Sequence, residues 1–159
     1  MRVIGVVGWK NSGKTGLATR LIAEWRGRGR TVSSVKSAHH VADIDVPGTD
    51  SYRHRQAGAG EVILATPRRW ALMAEAPSPP LEHLLARLSP CDVVVVEGFK
   101  SAEIDKIEAW RGGRGPIAPS DPRIRAVASD GAPRVGVPVL DLDDHAAIAD
   151  FVEREVWGV

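Results

Sequence analysis

The residues whose types and spacing could carry chemistry begin with a glycine-rich stretch near the amino terminus. Residues 8–15 read GWKNSGKT, which fits the pattern G-x-x-x-x-G-K-[ST]. Glycines in such a loop let backbone N–H groups converge on phosphate oxygens, and the helix that follows presents its positive end to the same anion. The pattern predicts a nucleoside triphosphate site in which Lys14 acts catalytically by neutralising the β- and γ-phosphates, and Thr15 supplies a hydroxyl to Mg²⁺. The residues predicted to cradle the nucleotide are Gly8, Trp9, Lys10, Asn11, Ser12, Gly13, Lys14, Thr15 and Gly16.

A candidate for the other half of the metal site follows the most apolar segment of the chain. Residues 92–96 read DVVVV and predict a strand that is buried on both faces, and Glu97 comes directly after it. A carboxylate at this position would serve Mg²⁺ directly or through water, as a Walker B element does. Aspartate is the commoner residue there, and the alternative is that Glu97 is a solvated strand end.

Three further candidates rest on fewer residues. Asp43 and Asp45 lie in a polar stretch where loops of nucleotide-binding folds approach the γ-phosphate, and we prefer Asp45 as a catalytic carboxylate over a plain polar loop. The adjacent histidines His39 and His40 suit contact with phosphate, substrate or metal, or simple exposure to solvent. Asp130 would bind a guanine N1–H and N2–H₂, or would belong to an ordinary Asp-Gly turn.

Strands and helices alternate along the chain, and these elements must position the candidate residues. We predict strands at 2–7, 31–36, 62–65, 70–74, 92–96, 104–111, 124–128 and 137–140, and helices at 14–26, 50–57, 80–88 and 144–157. The strands at 62–65 and 70–74 bracket a turn-like TPRR and suit a hairpin. The alternation predicts an α/β fold with a mostly parallel central sheet, helices on both faces and a β-hairpin extension. The glycine- and proline-rich stretch 111–122 predicts a flexible loop.

Size and composition narrow the class of protein. A length of 159 residues predicts a single domain over 1–159, and 43% hydrophobic with 26% charged residues excludes wholesale disorder. The net charge of +1 provides no global basic field, so we expect no nucleic-acid partner. The single cysteine excludes an internal disulfide, and no apolar run is long enough for a membrane span. We therefore expect a soluble, cytoplasmic protein that makes no membrane contact.

Three stretches together resemble one family, the molybdopterin-guanine dinucleotide biosynthesis protein B (MobB) group of P-loop NTPases. They read VVGWKNSGKT, KSAHHVADIDVPGTDSYRHRQAGA and DVVVVEGFK, and AVASD at 126–130 adds a thinner match. The resemblance covers roughly residues 1–106 and implies a homodimeric, GTP-binding α/β protein of P-loop NTPase-like fold. It also implies slow hydrolysis of GTP and assistance to the guanylyltransferase partner that attaches GMP to molybdopterin. Whether molybdopterin itself contacts this chain stays open.

The same resemblance implies roles for individual residues. Residues 8–15 would hold the phosphates of GTP, and Thr15 and Glu97 would serve Mg²⁺. The positions that match family motifs without an assigned role are His39 or His40, Asp45, Asp50, Ser51 and Arg53. The chain departs from the family where Ser37 follows Lys36 in place of the usual histidine, and where Asp105-Lys106 replaces a Pro-Lys pair.

Two other function classes are compatible with the same loop. A P-loop small-molecule kinase that uses ATP would need a lid, which the arginines of residues 111–114 could supply. A nucleotide-stabilised adaptor without a catalytic role would need only a surface, for which Trp70 and Trp110 are candidates, although core packing is the commoner place for tryptophan. For GTP hydrolysis we expect a slow rate, because the sequence shows no arginine finger and its single glutamine, Gln56, is predicted in a helix. Without an arginine finger or a glutamine that orients the attacking water, the hydrolysis rate is lower by roughly 10³–10⁵-fold.

Overall fold

The computed structural model describes residues 1–38, 44–77 and 79–159. The described strands are β1 (Arg2–Val7), β2 (Val32–Lys36), β3 (Glu61–Ala65), β4 (Trp70–Ala74), β5 (Val93–Glu97), β6 (Lys106–Trp110), β7 (Ile124–Ser129) and β8 (Val139–Asp141). The described helices are α1 (Lys14–Gly27), α2 (Asp50–Gln56), α3 (Leu81–Leu85), a 3₁₀ turn (Ala118–Ser120), α4 (His145–Phe151) and a π-helical turn (Val152–Val156). The chain divides into two compact units, Met1–Ser37 with Leu84–Val159, and Ala38–His83.

The first unit is built on a parallel sheet. Among the described residues six strands join in the order β2-β5-β1-β6-β7-β8, and each neighbouring pair is parallel. The mostly parallel sheet predicted from the sequence is therefore confirmed. Strand β1 lies between β5 and β6. The loop after β1 therefore opens at a topological switch point, where the direction of the strand order reverses. Ligands of open α/β sheets bind at this place, outside the carboxyl ends of the strands.

Helix α1 is fixed to one face of this sheet by a stripe of apolar side chains. Leu17, Leu21 and Trp25 recur at helical spacing and are fully buried, together with Ile148 of α4. The ring of Trp25 lies 5.4 Å from that of Trp157, which closes the core near the carboxyl terminus. Burying a leucine side chain stabilises a fold by about 1.5–3 kcal/mol. This packing sets the position of the amino end of α1, where the glycine-rich loop ends.

The opposite face of the sheet carries buried charged groups on β6. Ile107 and Ala109 belong to the core beside α1, so the alternating residues Lys106 and Glu108 point to the other face. Lys106 Nζ lies 2.9 Å from a carboxylate oxygen of Asp121. Glu108 accepts hydrogen bonds from the backbone N–H groups that begin the 3₁₀ turn, which packs beside β7. Lys106 and Glu108 therefore hold the segment that follows β6 against β6 itself.

The second unit contains a helix and the predicted hairpin. Strands β3 and β4 pair antiparallel, with Glu61 opposite Ala74 and Ala65 opposite Trp70. In the turn, the backbone N–H of Arg69 donates to Thr66 Oγ1 at 3.0 Å. The hairpin is thus confirmed. Helix α2 begins after Thr49, whose side chain accepts from the third residue on, as expected of an N-cap.

Some predicted boundaries differ from the observed ones. The helix predicted at 80–88 is only Leu81–Leu85, and the helix predicted at 144–157 is α4 followed by a π-helical turn. Short helices are marginal by themselves, so tertiary packing decides where they end. Within the described residues no helix has the length and apolar character needed to cross a membrane.

Candidate functional site

Two glycines give the loop after β1 a conformation that other residues cannot adopt. Gly8 has a φ of 148°, and a Cβ built there would lie 2.4 Å from the carbonyl oxygen of Ala109 and from Ser12 Oγ. Gly13 has a φ of 93°, in the left-handed region that favours glycine. Neither position accepts a side chain without rearrangement. At these two positions the loop therefore presents backbone, and not side chains, at the carboxyl edge of the sheet.

Among the described residues, no side chain partners the positive amino end of α1. Gly13 is the N-cap residue, no side chain caps the first turn, and that turn contains no acidic residue. The hydroxyl of Ser12 is buried and has no hydrogen-bond partner among the described residues. Uncapped N–H groups and a partial positive charge at a helix end attract anions. These features fit the phosphate groups predicted from the sequence.

Lys14 folds back over the loop that precedes it. Its Nζ donates to the carbonyl oxygen of Trp9 at 2.5 Å. Burial lowers the pKa of Lys14 below its ordinary value, and the nearby positive charge of Lys100 lowers it further, while Glu97 opposes the shift. A bound phosphate would offset both of the lowering effects, so the ammonium is placed where an anionic ligand stabilises it most.

Thr15 at the start of α1 meets Glu97 and Lys36, which stand at the carboxyl ends of β5 and β2. Thr15 Oγ1 donates to Glu97 Oε1 at 2.7 Å, which joins the start of α1 to the end of β5. The ladder places Lys36 opposite Glu97, and Lys36 Nζ lies 3.0 and 3.1 Å from the two carboxylate oxygens of Glu97. The same Nζ lies 3.3 Å from Thr15 Oγ1. The structure thus brings together the hydroxyl and the carboxylate that the sequence assigned to Mg²⁺.

The donor set at this point fits Mg²⁺ and not a metal held by protein alone. The described residues contain no group of three His, Cys, Asp or Glu side chains that could hold a metal ion. Mg²⁺ is commonly bound through one or two protein oxygens, with the phosphates of a nucleotide and water completing the shell. A hydroxyl from Thr15 and a carboxylate from Glu97, beside a phosphate-type loop, match that requirement.

A cluster of cations surrounds the indole ring of Trp9. Lys100 Nζ and Arg114 Cζ lie 4.2 and 3.9 Å from the centre of the ring. The indole N–H of Trp9 donates to the carbonyl oxygen of Gly115, and that of Trp110 donates to the carbonyl oxygen of Arg114, both at 2.8 Å. Segment 111–115 therefore lies against the glycine-rich loop, with a recess of about 300 Å³ between them.

Asp130 reaches the same edge of the sheet through Arg111. Asp130 follows β7, and its carboxylate oxygen lies 3.3 Å from Arg111 Nε. The same Nε lies 3.5 Å from the point where a Cβ of Gly13 would be. A recess of about 440 Å³ opens at the carboxyl ends of β7 and β8 and is lined by Ser129, Asp130, Gly131, Val139, Leu140, Asp141 and Asp143. A single arginine thus spans the distance between the glycine-rich loop and the carboxylate predicted to read a base.

Asp45 lies in the second unit, where neighbouring side chains fix its carboxylate. Its Oδ1 accepts from Ser51 Oγ at 2.9 Å and from its neighbour's backbone N–H, and Arg55 Nε lies 3.4 Å from Oδ2. These contacts order the turn before α2, which accounts for the residue structurally. A catalytic role for Asp45 stays a prediction. His39, His40 and Asp43 lie outside the described residues.

Sequence reasoning missed three cations of this site. Lys36 was assigned only to a strand, Lys100 only to a family stretch, and Arg111 to a flexible loop or a kinase lid. The contacts of these cations depend on strand order. Strand β2 lies beside β5, which ends at Glu97, and β6 lies beside β1, which leads into the glycine-rich loop. The signal that could have identified these cations is their position in the sequence. Each of them stands at or shortly after the end of a predicted strand, where ligands of α/β sheets bind.

Comparisons with known proteins point to one family. The family model for molybdopterin guanine dinucleotide synthesis protein B, MobB, matches residues 3–130. The chain is 40% identical to a molybdopterin-guanine dinucleotide biosynthesis adapter protein of Escherichia coli (strain K12), over 94% of this chain and 90% of the relative. A protein of the same description from Haemophilus influenzae is 38% identical over 96% and 88%.

Solved structures give the same answer for the fold. The crystal structure of a MobB protein homolog from Bacillus stearothermophilus superposes with a TM-score of 0.71 and 26% identity, covering 100% of both chains. The family resemblance of the three sequence stretches is therefore confirmed across nearly the whole chain. This protein belongs to the MobB family.

Proposed function

We propose that this chain is an adapter in molybdopterin-guanine dinucleotide biosynthesis that binds GTP with Mg²⁺ and hydrolyses it slowly. The pathway is supported by the family and by the descriptions of the two curated relatives. The nucleotide site is supported by one observation above the others, the hydrogen bond from Thr15 to Glu97 beneath an uncapped helix end. That contact joins a phosphate-type loop and an acidic strand end into a single site.

Each part of the site has a definite task in this proposal. Residues 8–15 hold the phosphates through backbone N–H groups, and Lys14 turns from the Trp9 carbonyl to the β- and γ-phosphates. Thr15 would supply a hydroxyl ligand to the metal, and Glu97 accepts a hydrogen bond from that hydroxyl and so orients its lone pairs. The metal, when bound, neutralises charge that develops on the phosphate oxygens.

We expect slow hydrolysis because the cationic groups near the glycine-rich loop are already engaged in other contacts. Lys36, Lys100, Arg111 and Arg114 lie near the loop, and each of these four already has a partner or a ring contact among the described residues. The only glutamine, Gln56, belongs to the second unit. Positioning of phosphates without a dedicated group for the attacking water gives binding with little turnover.

Selectivity for guanine is proposed to reside at Asp130. A carboxylate accepts hydrogen bonds from guanine N1–H and N2–H₂, whereas adenine offers no such pair of donors on that edge. The proposal is supported by the recess at the ends of β7 and β8, which Asp130 lines. Arg111 would hold the carboxylate in place until a base replaces that ion pair.

The first experiment is a thermal-stability titration with GTP and ATP in the presence of Mg²⁺. A ligand at about 100 times its Kd stabilises a fold by about 2.7 kcal/mol, which is a shift of several degrees at this size. We expect a GTP-selective shift that Lys14→Ala abolishes and Arg134→Ala, an exposed residue of the same unit, leaves intact. An ATP-selective shift would favour the kinase alternative, and no shift with either nucleotide would contradict the proposed site.

The adapter role requires a partner. We propose the guanylyltransferase that attaches GMP to molybdopterin, and a homodimer of this chain as the form that meets it. Light scattering after size exclusion, with and without GTP, measures both the mass of this chain alone and that of a mixture with the guanylyltransferase. A mixture that never exceeds the mass of its separate components would contradict the partner.

A further inference from the structure

Lys36 contacts both of the residues that are proposed to serve Mg²⁺. Its Nζ lies 3.0 and 3.1 Å from Glu97 and 3.3 Å from Thr15 Oγ1. An ammonium ion and a divalent metal compete for the same oxygen lone pairs when they share ligands this closely. Because the hydroxyl of Thr15 already donates a hydrogen bond to Glu97 at 2.7 Å, the lone pairs of its oxygen are what remain for a cation.

We propose that Lys36 is an exchangeable internal cation of the nucleotide site, which holds Thr15 and Glu97 together until Mg²⁺ loads with the nucleotide and takes its place. The inference rests on the proposed function, because it assumes that Mg²⁺ binds at these two residues. It assigns to Lys36 a positioning role and not a catalytic one.

Burial explains why Glu97 needs such a cation. Its side chain is 14% exposed, so an unpartnered carboxylate there would carry a desolvation cost. Lys36 is 58% exposed, so its ammonium is still largely hydrated and its hold on Glu97 is weak. The pair is therefore strong enough to keep the carboxylate oriented and weak enough to be displaced.

The backbone allows the exchange without unfolding either strand. Lys36 and Glu97 are register partners at the ends of β2 and β5, and the backbone N–H of Ser37 donates to the carbonyl oxygen of Glu97 at 2.9 Å. These bonds fix the main chain on both sides of the pair. Only the side chain of Lys36 has to rotate, and a lysine released to solvent regains rotamer freedom.

The test compares Kd values for GTP measured by calorimetry in Mg²⁺ and in EDTA, for the whole chain and its variants. In EDTA, Lys36→Met should weaken GTP binding, because Glu97 then repels the phosphates. In Mg²⁺ it should tighten GTP binding, because a competitor has gone. The ratio of the Kd in EDTA to the Kd in Mg²⁺ should therefore rise by roughly two- to fivefold, the range expected when a partly exposed ion pair is lost.

Two variants control for a general effect of charge. Arg134→Met removes a positive charge from an exposed residue of the same unit and should leave the ratio near that of the wild type. Lys36→Arg retains a cation beside Glu97 and should restore most of the wild-type ratio. An unchanged or lower ratio in Lys36→Met, or an equal rise in Arg134→Met, would overturn the inference while the proposed function stood.

A second measurement separates this inference from the nucleotide proposal. Mn²⁺ is titrated into the nucleotide-free chain and followed by electron paramagnetic resonance. Lys36→Met should bind Mn²⁺ more tightly than the wild type by a similar factor, and Glu97→Gln should remove that gain. Equal Mn²⁺ affinity in the wild type and Lys36→Met would overturn the inference, whatever the result with GTP. A wild type that binds no GTP in either medium would count against the proposed function alone.

Discussion

The indole N–H of Trp9 donates to the carbonyl oxygen of Gly115 at 2.8 Å, across 106 positions of the chain. This bond joins the glycine-rich loop after β1 to the segment after β6. The same ring contacts Lys100 and Arg114, so one side chain organises the cations beside the loop. Two glycines with left-handed φ values, 78° at Gly112 and 75° at Gly113, let the segment make the turn.

Replacing Trp9 by phenylalanine should loosen segment 111–115 while preserving a ring for the cation contacts. The lost hydrogen bond stabilises the closed segment by about 0.5–1.5 kcal/mol, toward the lower end because the bond is exposed. Amide hydrogen exchange of residues 112–115 should accelerate by about two- to tenfold. Trp70→Phe, at a residue that is 70% exposed in the second unit, is the matched control. Equal exchange in Trp9→Phe and the wild type would show that the bond does not hold the segment.

Replacing Glu97 by glutamine should uncouple GTP binding from Mg²⁺. Glutamine retains an acceptor for Thr15 but removes the negative charge, and hydrogen bonds to charged groups contribute about 1.5–3 kcal/mol. The affinity gained from Mg²⁺ should therefore fall by roughly tenfold or more, as measured by calorimetry with Mg²⁺ and with EDTA. Glu103→Gln, at an exposed residue that pairs with Arg123, should behave as the wild type. A full Mg²⁺ effect in Glu97→Gln would remove the residue from the metal site.

Replacing Asp130 by asparagine should change the preferred base. The carboxylate suits the two donors of guanine, whereas the asparagine amide can donate to the O2 of xanthine in place of accepting from N2–H₂. GTP should weaken by roughly tenfold or more, and XTP should tighten relative to GTP. Competition against a fluorescent GTP analogue, with GTP, XTP and ATP in turn, measures the order of preference. If the order is unaltered, the base is read elsewhere.

Much of the framework could be predicted from local pattern. The run Val93–Glu97 is a buried central strand because four consecutive valines suit a strand covered on both faces. The loop at 8–15 can be identified because its backbone conformation requires glycine at two positions, Gly8 and Gly13. The hairpin follows from two short apolar segments around a turn. These features depend on residues close together in sequence, which is why they could be read without a structure.

The parts that could not be predicted depend on strand order. Lys36 meets Glu97 because β2 pairs with β5 in one register, and a shift of one residue would have pointed Lys36 to the other face. The segment 111–122 reads as flexible from its glycines and prolines, yet Trp9, Trp110 and Glu108 hydrogen-bond its backbone. The sequence of the segment itself does not contain these contacts, since Glu108 and Trp110 reach it from β6 and Trp9 reaches it across 106 positions.

Glu108 should make the stability of the fold fall as pH rises. Burial raises its pKa above the ordinary value of 4.5, while hydrogen bonds from the backbone of Ile117 and Ala118 oppose the shift. The folded chain therefore binds more protons at this group than the unfolded chain does between 4.5 and the raised value. In that window the free energy of unfolding contributed by Glu108 decreases with increasing pH.

Urea unfolding at several pH values between 4.5 and 8 checks this sign in wild type and Glu108→Gln. The glutamine variant should be less stable at low pH, because its amide cannot accept all the backbone N–H groups, but its stability should depend less steeply on pH. Glu103→Gln, at a residue whose side chain is 79% exposed, should retain the wild-type slope. The difference in slope, and not the loss of stability, identifies the carboxyl group. If both variants follow the wild-type slope, another group sets the pH dependence and Glu108 is ionised throughout this range, held by the N–H groups of the turn that it anchors.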